Sequence, residues 1–297
     1  MKFLIPVLVF ICTSAQAQLK TFKYANGNIQ SEGMMIHDTV MTGVWSFFYE
    51  NGKKSKIGCY KNGKVDSLWI FFDENALLQK TGYYKNELFD GEWKFWSPEG
   101  YVNSMGYYEK GKLNGKWTEY YPNGKVKMEG QNKNDLRDGL WTYYHYNGNK
   151  EREEYFTDGK LNGTRTEWHE NGKKKKEEIF NNDVLNGIWQ TWFSNGKLQT
   201  TGFIKNGKAE GKFLFYDSTG FNTILSHYHE GVWHGRWTEF NPKLEGKKIS
   251  DGKFKMNKKI GTWSYWDING DIRKIEVYKD EKLFKEINFD FDADKKK

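Results

Sequence analysis

Cysteine, aliphatic residues and helical periodicity are all scarce in this chain, and each scarcity closes off a class of structure. Of 297 residues only Cys12 and Cys59 are cysteines. Cys12 falls in an N-terminal stretch expected to be removed, so Cys59 is left alone and no intramolecular disulfide can form. Apolar residues reach only 37%, while aromatics alone supply 18%, which leaves few aliphatic side chains for a conventional core. No segment carries the i, i+3, i+4 apolar spacing of an amphipathic helix, and glycine falls too regularly to allow one. There is no G-x-S-x-G, no glycine-rich phosphate loop and no unique His–Asp pairing. Without a nucleophile fixed beside a base, catalysis lacks its residues, and the chain is expected not to be an enzyme.

What is present is repetition. The stretch Gly115 to Asp138 returns every 24 residues. Its leading tryptophan defines position 0, which holds Trp45, Trp69, Trp93, Trp117, Trp141, Arg165, Trp189, Phe213, Trp237 and, after a two-residue insertion, Trp263. Position 3 is aromatic in every copy, from Phe48 and Phe72 to Trp266. Runs this rich in Trp, Tyr, Phe and Thr, bounded by glycine, favour strands. Positions 0 and 3 differ in parity, so either the sheet carries aromatics on both faces or a bulge resets the register. A fixed period of this length marks a repeat architecture whose units contact mainly their neighbours.

The turn after this strand repeats Asn-Gly at positions 6 and 7, as in Asn51-Gly52 and Asn123-Gly124, whereas Glu99-Gly100 and Thr219-Gly220 keep only the glycine. Glu and Thr resist positive φ, so the pattern predicts a type I turn with a left-handed glycine in a G1 bulge and proline (Pro98, Pro122, Pro242) at the second corner. Asn75-Ala76 departs from it and predicts a left-handed alanine costing about 1 kcal/mol. A second strand carries Gly at position 13 (Gly58, Gly82, Gly106), read as a site pressed by an indole of the adjacent hairpin. A second turn follows, as at Asn62-Gly63, and then the Gly two residues before the next Trp. The fold expected is all-β: an elongated single sheet of about ten stacked hairpins.

The chain opens with Lys2, the apolar run Phe3 to Cys12 and Ala15-Gln16-Ala17. This is the pattern of a secretory signal peptide cleaved after Ala17, too short to span a bilayer. The reading is therefore a leader at 1–17, a repeat domain at 18–291 and a charged tail at 292–297, with export to the periplasm or outside the cell. Ile287, Phe289 and Phe291 alternate with Asn288, Asp290 and Asp292 as a last edge strand whose charges discourage further pairing.

These units resemble MORN repeats, and most closely the bacterial variant of the YwqK-like antitoxin family. The resemblance rests on the Gly-x-Trp-x-x-aromatic-aromatic-x-Asn-Gly core, as in Gly115 to Gly124, and on the segment Gly106 to Gly111. It implies hairpins stacked edge to edge, a scaffold for protein or lipid contacts, and no cofactor.

Six histidines are present. His145 and His169 share position 4, while His227, His229 and His234 cluster between repeats and would have to converge to bind metal; scattered surface histidines are the simpler reading. Asp290, Asp292 and Asp294 lack the Gly and Glu of a calcium loop. Net charge is +7 and Lys173 to Lys176 form the densest run, followed at once by Glu177-Glu178, so the run reads as a mixed solvated strand and nucleic acid is not an expected ligand. The candidate contact surface is Tyr49, Tyr121, His145, His169 and Phe193 at position 4, with Lys173, Lys174, Lys175 and Lys176, and positions 1, 4 and 10 setting specificity. The tryptophans Trp45, Trp69, Trp93, Trp117, Trp141, Trp189, Trp237 and Trp263 are expected to pack between hairpins. The first functional expectation is an exported, non-catalytic scaffold for a protein partner, antitoxin- or immunity-like; the second is envelope glycan or anionic lipid binding. Neither the partner nor the oligomeric state is named by the sequence.

Overall fold

The computed structural model describes residues 17–244 and 246–289. Most of the expected leader, and the tail from Asp290 with its alternating aspartates, lie outside them. The fold is all-β and antiparallel throughout, 23 strands with no helix among the described residues. The chain divides into two compact units at Asp138 and Gly139. The first unit is built from β1 (Ala17–Lys23), β2 (Ile29–Ile36), β3 (Val40–Phe48), β4 (Lys54–Lys61), β5 (Lys64–Phe72), β6 (Leu78–Lys85), β7 (Leu88–Trp96), β8 (Val102–Glu109), β9 (Lys112–Tyr120) and β10 (Val126–Lys133). The second takes most of β11 (Leu136–Tyr144), then β12 (Lys150–Thr157), β13 (Lys160–Trp168), β14 (Lys174–Asn181), β15 (Val184–Trp192), β16 (Leu198–Lys205), β17 (Lys208–Tyr216), β18 (Asn222–His229), β19 (Val232–Phe240), β20 (Lys248–Lys255), β21 (Lys258–Trp266), β22 (Ile272–Lys279) and β23 (Lys282–Asn288). Within each unit every strand pairs with the next in sequence, as β6 does with β7 and β15 with β16.

The two rows of turns use opposite backbone chemistry. In the first row, Tyr49 N–H donates to Lys53 O at 2.8 Å and Gly52 N–H to Tyr49 O at 2.9 Å, and only the glycine has positive φ, 80° at Gly52. This is the type I turn with a G1 bulge that Glu99 and Thr219 demanded, and Ala76 takes the left-handed place at φ 67°. In the second row both central residues are left-handed, 51° and 77° at Asn62 and Gly63, which is the type I′ pattern suited to a two-residue hairpin. Each row is also stitched to its neighbours: Asn51 Oδ1 accepts from Lys53 N–H at 2.9 Å while its amide donates to Glu74 O in the next turn at 3.1 Å, and Asn171 and Asn195 donate likewise to Ser194 O and Ser218 O. Asparagine therefore recurs at position 6 because it bonds in two directions, since its own φ is not positive.

The parity question resolves as aromatics on both faces. A bulge does occur after position 2, where Phe47 opposes Lys56 but Phe48 opposes Lys54 and Ser55 is left over. It does not bring the two rings together: Lys56 lies over Phe47 and Trp69, while Lys54 lies over Phe48. On the position-0 face Trp45, Trp69 and Trp93 are 0%, 2% and 0% exposed. Each lies on the glycine opposite: a Cβ on Gly58 would stand 2.1 Å from Trp69 Cδ2, and one on Gly82 would stand 2.1 Å from Trp93 Cδ2. Flanking rings cover them, Phe89 stacking on Trp93 at 3.8 Å and Tyr84 meeting it edge-on at 5.1 Å. The absence of a side chain at position 13 is what lets a single sheet bury an indole.

Candidate functional site: the face opposite the tryptophans

A second irregularity makes this face. Between Gly82↔Trp93 and Tyr84↔Phe89 the ladder skips Tyr83 on one side and Asp90 to Glu92 on the other. The stranded carbonyl of Tyr83 accepts from Trp93 Nε1 at 3.0 Å, as Cys59 O does from Trp69 at 3.2 Å and Lys253 O from Trp263 at 3.1 Å. The indole thus satisfies a backbone group that the bulge leaves over. Gly91 turns the chain at φ 82°, and a Cβ added to it would meet Tyr83 Cβ at 3.8 Å.

Position 14 then stands out opposite position −1 of its own hairpin, on the face away from the tryptophans, since position −1 is one residue from position 0. In three hairpins these cross-strand pairs are apolar and open. Leu68 faces Tyr83 in the first unit; Leu140 faces Tyr155 and Ile188 faces Phe203 in the second. Their exposures run from 37% at Leu140 to 51% at Ile188. Nothing among the expected contact residues included them. The signal was available as Leu, Val or Ile one residue before several tryptophans.

The expected site residues have other employment. Position 4 is half-buried and reaches along the turn row: Tyr49 OH donates to Phe72 O at 2.8 Å, and His145 and His169 Nε2 lie 3.3 and 3.0 Å from Trp168 O and Trp192 O. Tyr121 and Phe193 occupy the same half-buried slot. Where position 4 is aspartate it closes its own turn instead: Asp217 Oδ1 accepts from the Thr219 hydroxyl and the Phe221 N–H, which hold its carboxyl below the usual range. Position 1 is not a surface either, with Thr118, Thr142, Thr166 and Thr238 at 4, 7, 9 and 2% exposure. Position 10 does remain largely exposed.

The lysine run is neutralised strand by strand. Lys173 Nζ donates to Asn195 O at 2.7 Å, Lys174 pairs with Glu177 at 2.5 Å, Lys175 with Glu167 at 3.8 Å and Lys176 with Glu178 at 2.6 Å. The three clustered histidines do not converge: His227 Nδ1 lies 3.1 Å from Arg236 O, His229 pairs with Glu210, and only His234 approaches His229, at 5.7 Å between rings. Among the described residues no three of His, Cys, Asp and Glu are grouped to hold a metal ion. Burial, then the nearby Asp66, pushes the half-buried Cys59 thiol up.

The ladder changes character where its glycine is lost. Glu154 and Glu178 occupy position 13 on the strands flanking β13, whose position 0 is Arg165; the Arg165 Nε lies 3.0 Å from Glu178 Oε2. Beside Glu178 and Ser226, Trp189 and Trp237 are only half-buried. At the last position 13, Glu276 takes Lys274, Tyr265, Lys259 and Tyr278 as donors at 2.6 to 3.1 Å. Burial alone would raise its carboxyl, but those four donors outweigh it and hold the pKa at about 2. A cleft of about 410 Å³ opens beside β20 and β21, with an ion pair of Arg236 and Asp251 at 3.1 Å in its lining.

Fold and surface together define a class: a hairpin-repeat β protein with a glycine-seated indole ladder on one face and open apolar pairs on the other. Residues 41–62, 113–134, 137–158, 161–182 and 185–206 match the MORN repeat variant. The chain thus carries five MORN-variant repeats, and the same hairpin continues around Trp69, Trp93, Phe213, Trp237 and Trp263, where no match falls. No curated protein matches. Among solved structures, crystal structures of TcdB2-TccC3 and of TcdB2-TccC3-Cdc42 match at 9% and 10% identity with TM-scores of 0.20, over 88% of this chain. That of TcdB2-TccC3-TEV matches at 10% and 0.21. The chain spans 17% of the length of these structures' chains, and at such TM-scores the likeness carries no argument.

Proposed function

We propose that this protein is an exported, non-catalytic scaffold that binds a protein partner through the face opposite the tryptophans. The observation that supports this reading most is the set of open cross-strand pairs, Leu68 with Tyr83, Leu140 with Tyr155 and Ile188 with Phe203. Apolar side chains concentrated on one face, with the hydrophobic core already complete on the other, mark an interaction surface. Tyrosine and aliphatic neighbours supply contact area with little rotamer loss. Export follows from the signal-like residues 1–17, and an antitoxin- or immunity-like role from the resemblance of the repeats; such a protein would act by covering its target.

Envelope glycan or anionic lipid binding was the alternative. It has less support, because Lys173 to Lys176 already hold glutamate or carbonyl partners. The test is affinity capture from envelope extract with the full chain, compared with a variant in which Tyr83, Leu140, Tyr155, Ile188 and Phe203 become serine. Partners retained by the wild type and lost by a folded variant support the proposal. Equal capture by both, or retention only on peptidoglycan or anionic vesicles, overturns it.

A further inference from the structure

In the second unit the row of positions −1 and 14 changes chemistry partway. Ile188 and Phe203 on β15 and β16 are apolar and exposed. On the next four strands the same two positions hold Lys212 opposite His227, then Arg236 opposite Lys253. Like charges placed directly across a strand pair are destabilising, whereas the same slots hold the apolar pairs Leu68–Tyr83, Leu140–Tyr155 and Ile188–Phe203 in three other hairpins and Lys116 opposite the neutral Gln131 in another. The acidic groups nearby are few and engaged. Asp251 meets Arg236 at 3.1 Å and accepts from the Thr238 hydroxyl at 2.6 Å, and Glu210 is held by His229 and the Glu230 N–H. Lys212 and Lys253 have no acidic partner among the described residues, and both are exposed.

We propose, building on the protein-binding reading above, that the partner presents a segment with apolar residues over β15 and β16 followed by carboxylates over β17 to β20. Six strands at about 4.8 Å spacing make this track roughly 24 Å long, which an extended segment of about seven residues crosses. The apolar half supplies contact area. The basic half fixes direction, because a reversed segment would set its carboxylates against Phe203 and leave the cations facing apolar groups. Bound carboxylates also relieve the repulsion that Arg236 and Lys253 exert on each other.

The probe is a labelled peptide about ten residues long, with phenylalanine and leucine in one half and glutamate in the other, titrated against the full chain by fluorescence anisotropy. Its lysine counterpart and anionic phosphatidylglycerol vesicles are run beside it. The expected result is binding that weakens with salt, no binding of the lysine counterpart, and a loss of about tenfold for Lys212→Gln with Lys253→Gln. The neutral glutamines remove charge without burying a new one, so folding is preserved, and near-ultraviolet circular dichroism checks it. No binding to wild type, equal binding by the double variant, or the same lysine dependence with vesicles and not with peptide overturns the inference. Loss of the captured partner from the serine variant but not from the glutamine variant would leave the scaffold reading intact and refute this one alone.

Discussion

Replacing Gly82 by alanine tests whether glycine at position 13 is there to seat an indole. Gly82 is not in the left-handed region, so its backbone accepts alanine, and by conformational entropy the change should stabilise a strand by about 0.5 to 1 kcal/mol. The packing says the opposite. The added Cβ would lie 2.1 Å from Trp93 Cδ2 and 2.4 Å from Cε2 and Cγ, against an ordinary carbon contact of about 3.5 to 4.0 Å. Trp93 is 0% exposed and is held by Phe89 at 3.8 Å and Tyr84 at 5.1 Å, so the ring has nowhere to retreat without unstacking. Overpacking of this kind costs about 1 to 3 kcal/mol, and disturbing the ring pairs about 0.5 to 1.5 more. The net expectation is a loss of about 1 to 3 kcal/mol after the entropic gain. Guanidinium unfolding followed by far-ultraviolet circular dichroism reads it, with hydrogen exchange of β6 and β7 amides localising it, since repeat stability is a nearest-neighbour property. In a Trp93→Ala background the clash is gone and the same change should become stabilising. A neutral or stabilising Gly82→Ala in the wild type would refute the reasoning.

The remaining predictions follow from the same geometry. Trp93→Phe keeps the ring but leaves Tyr83 O without its donor, and should cost about 1 to 3 kcal/mol, read in the same unfolding assay. Ala76→Gly removes the Cβ from a φ of 67° and should stabilise by up to about 1 kcal/mol; a loss would show that the turn is not left-handed there. Glu276 has its folded pKa depressed to about 2 from the ordinary 4.5, so the stability it confers is present above pH 4.5 and is lost as pH falls toward 2. That difference amounts to about 3 kcal/mol. Glu276→Gln should abolish the acid-induced loosening of β21 to β23 seen by hydrogen exchange across this window, and an unchanged profile would exclude Glu276 as its cause.

Much of the fold was legible because the repeat averages over accidents. All copies but the one with Ala76 place Gly in the left-handed position, and Glu99 and Thr219 before it forbid type I′ geometry, which together select the turn. Each position 13 glycine lies eleven residues before the next position 0 ring, as Gly58 does before Trp69 and Gly202 before Phe213, which points to contact. The two faces were not legible from period alone, since a bulge could have brought positions 0 and 3 to one side, and only the contacts show that they stay on opposite faces. The setting of position 4 was not legible for a related reason. Variability at position 4 suggested solvent, but tyrosine and histidine there both reach a carbonyl of the next hairpin, and aspartate closes its own turn, so different residues serve one structural end. The exposed pairs at positions −1 and 14 were hidden because Leu68 or Ile188 beside a tryptophan reads as core. Only the skipped ladder at residues such as Tyr83 turns that position outward. The glutamates after the lysine run already pointed to a mixed strand, but the partner of each lysine became visible only in the strand pairing.

Hydroxyl-radical footprinting of the free protein tests the central division of labour between the faces most directly. The account predicts fast modification of Tyr83 and Tyr155 and protection of Trp45, Trp69 and Trp93. Rapid modification of those tryptophans with protection of the tyrosines would contradict it, and would place the buried side of the sheet where the binding surface has been assigned.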